Sequence, residues 1–153
     1  MSMGTRCVQG LALLDHFGQY LTQKFYTYNA ANGCAAYCGK LLGHRTLSDA
    51  AHDERVLTVL RRVYAETGAA SCRTYGIDPA DQEALAARSL AKVSNVYLTD
   101  TVERNARDPM RKLARHDRLV GPACLAMACG ARPDGLAETI AAAMLYDEPP
   151  DPS

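Results

Sequence analysis

Residues 53–79 read DERVLTVLRRVYAETGAASCRTYGIDP. Val56, Leu57, Leu60, Val63 and Tyr64 recur at spacings of three and four, which places them on one face of a helix. Gly76 stops that helix, and Asp78-Pro79 opens the next one as N-cap and first helical residue. Nowhere in the chain do Val and Ile alternate over a strand-length run. The stretch therefore sets an all-α fold, and the rest of the sequence has to agree with it.

Upstream, Asp15 to Leu42 is rich in Ala, Leu, Tyr and Gln, and Gly43 follows as a C-cap. Asn29 and Gly33 weaken that helix from within. Ser48 begins a short segment, SDAAHDE, with acidic residues suited to a helix N-terminus. Downstream, Leu85, Ala86, Leu90 and Val93 mark the face of the next helix. Residues 95–100 form a connection, and Asp100 or Thr101 caps a helix running through Arg107. Asp108-Pro109 opens another turn or short helix. Leu119 to Cys129 is apolar and closed by Gly130. Asp134 caps the last helix, whose Leu136, Ile140, Ala143 and Met144 share a face. One helical domain over residues 10–149 is expected, with an N-terminal extension over 1–9 and a tail over 150–153.

The 153 residues carry Lys+Arg 17 against Asp+Glu 17, and 48% are hydrophobic. A chain of this size builds a core without metal or disulfide. Neutral charge argues against a nucleic-acid partner. No apolar run approaches the roughly 18 residues of a membrane span. The start, MSMGTRCVQG, lacks the basic-then-apolar pattern of a secretory signal, so a cytoplasmic chain is expected. Cys34 and Cys38 lie one helical turn apart and Cys124 and Cys129 five apart, and neither is zinc-ribbon spacing. Most cysteines read as small buried apolar residues. His16, His44, His52 and His116 match no metal motif, so no metal is expected, and His44 and His52 read as surface or capping residues.

Two segments carry candidate chemistry. In Lys24-Phe-Tyr-Thr-Tyr-Asn29-Ala-Ala-Asn32, a lysine lies beside two amides. Either these residues form a polar pocket wall, in which a desolvated lysine exchanges a proton near neutral pH, or they lie on a solvated face. The second segment holds Arg104, Arg107, Arg111 and Lys112, followed by Arg115, His116 and Arg118. Either the cluster converges on a phosphate or carboxylate, with the helix start after Asp108-Pro109 adding backbone donors, or it is a solvated basic face.

Together these segments resemble the mannitol-1-phosphate 5-dehydrogenases. The likeness rests on Arg107-Asp-Pro-Met-Arg-Lys-Leu113, Asp117-Arg-Leu-Val-Gly-Pro122, Pro133-Asp-Gly-Leu136 and Ile140-Ala-Ala-Ala143, and runs from about Gly10 to about Pro149. Lys24, Asn29 and Asn32 sit where that family has K-x4-N-x2-H. The resemblance is to the helical C-terminal substrate domain, the family's NAD being held by a separate N-terminal Rossmann domain. It implies mannitol 1-phosphate and fructose 6-phosphate as substrates, Lys24 as the acid/base, and Asn29 on the substrate oxygen. It also implies Arg104, Arg107 and Lys112 in the substrate pocket, with Arg111 added on its charge. Asn32 replaces the family's histidine, and an amide hydrogen-bonds but does not titrate. No G-x-G-x-x-G follows a strand, so no NAD bound to this chain and no turnover by it in isolation are expected. The partners implied are a sugar phosphate or other small anion, a Rossmann-domain chain and a second copy in a homo-oligomer. The alternatives are a non-enzymatic sugar-phosphate-binding module and a structural oligomerisation module.

Overall fold

A computed structural model describes residues 16–147. The first helical rod runs through α1 (Phe17–Lys24), a π-helical turn (Phe25–Asn29) and α2 (Ala30–Leu41). It is followed by α3 (Leu47–His52), α4 (Glu54–Tyr75), α5 (Pro79–Val93), α6 (Val102–Ala106), α7 (Pro109–Lys112), α8 (Val120–Ala128) and α9 (Asp134–Met144). Among the described residues there is no strand. Thr46 and Thr101 make an isolated antiparallel bridge that ties the entries of α3 and α6 together. The all-α expectation holds, and it holds because the 53–79 stretch folds as its periodicity demands.

Helix α4 is the central post, packed by α2, α3, α5, α8 and α9. Its Val56, Leu60, Val63 and Tyr64 are buried, while Leu57 is half-buried. Asp53 caps it by accepting from the Arg55 N–H at 2.9 Å. The same carboxylate takes Arg55 Nε at 3.0 Å and His44 Nε2 at 2.9 Å. The Arg55 guanidinium, and then His44, hold the Asp53 carboxyl well below the usual carboxylate range. His44, just beyond α2, thus supports the residue that caps α4 rather than capping a helix itself. At the far end Gly76, at φ 66°, takes the left-handed turn that closes α4. Asp78 then caps α5 by accepting from the Ala80 N–H at 2.7 Å.

Several boundaries differ from the sequence reading, each for a local reason. Thr46, not Ser48, caps α3, accepting from the Asp49 N–H at 3.0 Å. The Ser48 hydroxyl is spent on the carbonyl of Ser94 at 3.1 Å. Thr101 caps α6, which ends at Ala106 rather than Arg107. Asp134 does not cap α9, where Pro133 occupies the N-cap position with no side-chain bond. Glu66 of α4 does so instead, accepting from the N–H groups of Gly135 at 2.7 Å and Leu136 at 2.9 Å. Gly135 makes this approach feasible, because a Cβ there would lie 2.7 Å from Arg62 Cβ and 3.1 Å from the Val63 nitrogen. Met144 turns outward, 72% exposed, because α9 buries Leu136, Ala142 and Ala143 instead. Of the described cysteines, only Cys34 and Cys38 are buried; Cys72 and Cys129 are half-buried and Cys124 is exposed. Cys7 and the expected extension and tail lie outside the described residues.

Candidate functional site

The rod carrying Lys24, Asn29 and Asn32 is not a plain α-helix. Five residues of α-helix turn about 500°, which leaves positions i and i+5 about 140° apart. The π turn from Phe25 to Asn29 bonds i to i+5 and takes up one extra residue. Across it, Lys24 and Asn29 stand as residues four apart do in an α-helix, and Lys24 and Asn32 as residues seven apart do. All three fall on one stripe of the rod. The irregularity expected at Asn29 is there, and its form is a π turn rather than a break. Asn29 and Asn32 are half-buried, whereas Lys24 is exposed. The desolvation expected at Lys24 is therefore absent from the described residues, because nothing among them packs over the outer face of α1.

The basic segment lies beside this rod. The Arg118 guanidinium sits over the Phe25 ring, 5.3 Å from its centroid. A Cβ at Gly121 would meet the Tyr26 hydroxyl oxygen at 2.6 Å, so only glycine admits that ring. Burial raises the Tyr26 phenol above its ordinary value, helped by Tyr75. Leu119 reaches the backbone at Gly33, with Cδ2 3.2 Å from the Cβ that glycine lacks. Tyr37 donates its hydroxyl to the Ala106 carbonyl at 3.0 Å. The Asp117–Pro122 motif is thus the buttress of the π turn, and Arg118, the last cation of the basic segment, is half-buried at the junction.

The Arg107–Leu113 motif folds largely onto itself. Asp108 has φ 57° and ψ 59°, the one positive φ among the described non-glycine residues, and it precedes a proline that disfavours helical ψ. Arg111 Nε donates to the Asp108 carboxylate at 2.7 Å, which holds that carboxyl below its usual range. Lys112 is 5% exposed, and its Nζ donates to the carbonyl of Asn105 at 2.7 Å and to that of Arg107. It bridges the last turn of α6 to the strained bend. Nζ also lies 6.0 Å from the centroid of the Tyr37 ring. Burial, then the fields of Arg118 and Arg111, push the Lys112 pKa down to about 8. Lys112 is thus the lysine whose charge burial opposes. An ammonium has three N–H donors, so one remains after the two carbonyls.

The expected helix-start anion site after Asp108-Pro109 is not formed. Helix α7 is four residues long, opens on a proline without an N–H, and has the Asp108 carboxylate beside it. Arg104 is exposed and pairs with Asp100 at 3.3 Å, and Arg107 is exposed. Among the described residues no cluster of three or more His, Cys, Asp or Glu could hold a metal. None of their helices is long and apolar enough to cross a membrane.

The mannitol dehydrogenase C-terminal domain profile matches residues 16–153. The chain is 36% identical over 144 residues to a mannitol-1-phosphate 5-dehydrogenase of Brevibacillus brevis, covering 94% of this chain and 37% of that protein. It is 37% identical over 141 residues to a mannitol-1-phosphate 5-dehydrogenase of Paenarthrobacter aurescens, covering 92% of this chain and 37% of that one. The chain thus spans little more than a third of the length of these relatives. Its helical fold, its π-turn stripe and its buttressing motifs are those of one domain, and the chain belongs to the mannitol dehydrogenase family through that family's C-terminal domain.

Proposed function

We propose that this chain is the substrate-binding part of a cytoplasmic mannitol-1-phosphate 5-dehydrogenase-like oxidoreductase that interconverts mannitol 1-phosphate and fructose 6-phosphate. The observation that carries this reading is the π turn, which lines up Lys24, Asn29 and Asn32 on a rod that Arg118 of the basic segment packs against. On this reading Lys24 takes the hydroxyl proton of the polyol and returns it to the carbonyl of the ketose. Asn29 and Asn32 donate hydrogen bonds to substrate oxygens. Arg107 and Arg104, exposed guanidiniums of the basic segment, reach the phosphate together with Lys112. The described residues contain no strand leading through a glycine-rich turn into a helix, so they do not fit NAD. NAD, the family's hydride carrier, belongs to protein outside them. Asn32 supports a second reading, sugar-phosphate binding without turnover, because an amide cannot titrate as the family's histidine does.

Fructose 6-phosphate should raise the melting temperature with concentration while fructose does not. The difference should shrink in Arg107→Ala, since one charge-assisted hydrogen bond is worth roughly tenfold in affinity. Affinity for the phosphorylated sugar should be greatest between about pH 7 and 8, where the phosphate is a dianion, and fall as Lys112 loses its proton above about pH 8. Equal responses to the two sugars, or a pH-independent affinity, would count against the reading. A second copy is proposed to cover the exposed Phe17, Tyr20 and Leu21 of α1. Light scattering at high micromolar concentration should then give twice the chain mass, and a monomer mass would oppose it.

A further inference from the structure

On the side of the rod facing the core, three polar residues are buried together: Gln23 at 8% exposure, Thr27 at 0% and Gln82 of α5 at 4%. Gln23 Nε2 donates to Gln82 Oε1 at 2.8 Å, and Gln82 Nε2 donates to Thr27 Oγ1 at 3.1 Å. Gln82 thus bonds one residue before the π turn and one inside it. Gly68 of α4 leaves it room, for a Cβ there would sit 3.3 Å from Gln82 Cγ.

Helix packing by itself does not require this trio. Leucine, valine and leucine would fill similar volume, and replacing both partners of a buried hydrogen bond by apolar groups of like shape is often neutral or stabilising. Polar groups in such a place specify register instead, as a buried asparagine does in a coiled coil. The register at stake here is the extra residue of the π turn. If the rod relaxed to α-helical bonding with its C-terminal part fixed, everything before the turn would rotate by about 100° and shift by about 1.5 Å. Gln23 would swing away from Gln82 while Thr27 stayed, and Lys24 would turn out of line with Asn29.

We propose that Gln82 is a positioning residue that locks the phase of the rod across the π turn and so keeps Lys24 aligned with Asn29. The functional half of this statement rests on the reading that these two residues serve one site.

The test is the triple replacement Gln23→Leu, Thr27→Val and Gln82→Leu in the full chain. Its melting temperature and helical circular dichroism should stay near those of the native chain. Its NMR cross-relaxation should lose the i→i+5 contact between Lys24 and Asn29 and gain ordinary i→i+4 contacts, Lys24 to Tyr28 and Phe25 to Asn29. Affinity for fructose 6-phosphate should fall about tenfold, the loss of one well-placed hydrogen bond to a charged group. Thr27→Ser, which keeps the acceptor oxygen, should keep the i→i+5 contact and the affinity at the cost of a small drop in melting temperature for the lost methyl, whereas Thr27→Val should weaken the i→i+5 contact without unfolding the chain. Retention of the i→i+5 contacts in both Thr27→Val and the triple variant would overturn the proposal. Loss of those contacts in a chain that binds no fructose 6-phosphate in either form would sustain the positioning role and sink the functional reading instead.

Discussion

Lys112→Ala should lower the melting temperature by about 10 °C, for a loss of about 3 kcal/mol. The substitution strips the donor from two carbonyls, those of Asn105 and Arg107, and empties the space its stem fills against Tyr37. A buried acceptor left without a partner costs about 1–3 kcal/mol. The neighbouring Arg111→Ala should cost under about 1 kcal/mol, since its bond to Asp108 lies between two exposed side chains. Lys112 also leaves a pH signature. Folded, it gives up its proton near 8, against an ordinary value of 10.5. Between those values the unfolded chain binds the extra proton, so stability contributed at this site rises with pH across that window. Thermal melts from pH 7 to 10 should show this rise in the native chain and lose it in Lys112→Ala. Equal melting of Lys112→Ala and Arg111→Ala would mean that the lysine is not a strap.

Glu66→Ala should cost about 2 kcal/mol. One carboxylate accepts from the N–H groups of both Gly135 and Leu136 at the start of α9, a charged cap that also faces the positive end of the helix. Glu66→Gln keeps one acceptor oxygen and should cost about half as much. Pro133→Ser restores an ordinary cap at the N-cap position and should recover about 1 kcal/mol in the Glu66→Ala background. Urea denaturation checks all three, with the slope unchanged if only the cap is affected.

These two residues show where the sequence could be read and where it could not. Periodicity in 53–75, the Gly76 stop and the Asp78-Pro79 start are local signals, and the helices follow them. The cap of α9 is supplied from 69 residues away by Glu66, so no local signal can name it and Asp134, the nearest acidic residue, does not serve. The polar stripe was visible as residue types, and its resemblance to K-x4-N-x2-H singled out the stretch that holds the π turn. What spacing could not disclose was the π turn, because a five-residue step reads as off-face on a regular helix. Lys112 stood in a charged run that read either as an anion site or as a solvated face, with no sign that it ties the backbone. Its burial depends on Tyr37 and on the bend at Asp108, which only the folded chain brings together. Gln82 gave no signal at all, since DQEALAARS reads as an exposed amphipathic turn until Gln23 and Thr27 are found opposite it.

The central claim is that Lys24, Asn29 and Asn32 line one sugar-phosphate site. Side-chain amide resonances report on it directly, because Asn29 and Asn32 carry NH2 groups on that stripe while Asn95, which accepts from the Tyr97 N–H at 2.9 Å, lies in the connection after α5. Titration of the 15N-labelled chain with fructose 6-phosphate should move the Asn29 and Asn32 amide pairs saturably, with one shared dissociation constant, and leave that of Asn95 in place. Fructose at the same concentrations should move them far less. If the Asn29 and Asn32 amides stay fixed while the chain binds the sugar phosphate elsewhere, or if nothing moves at all, the stripe is not the site.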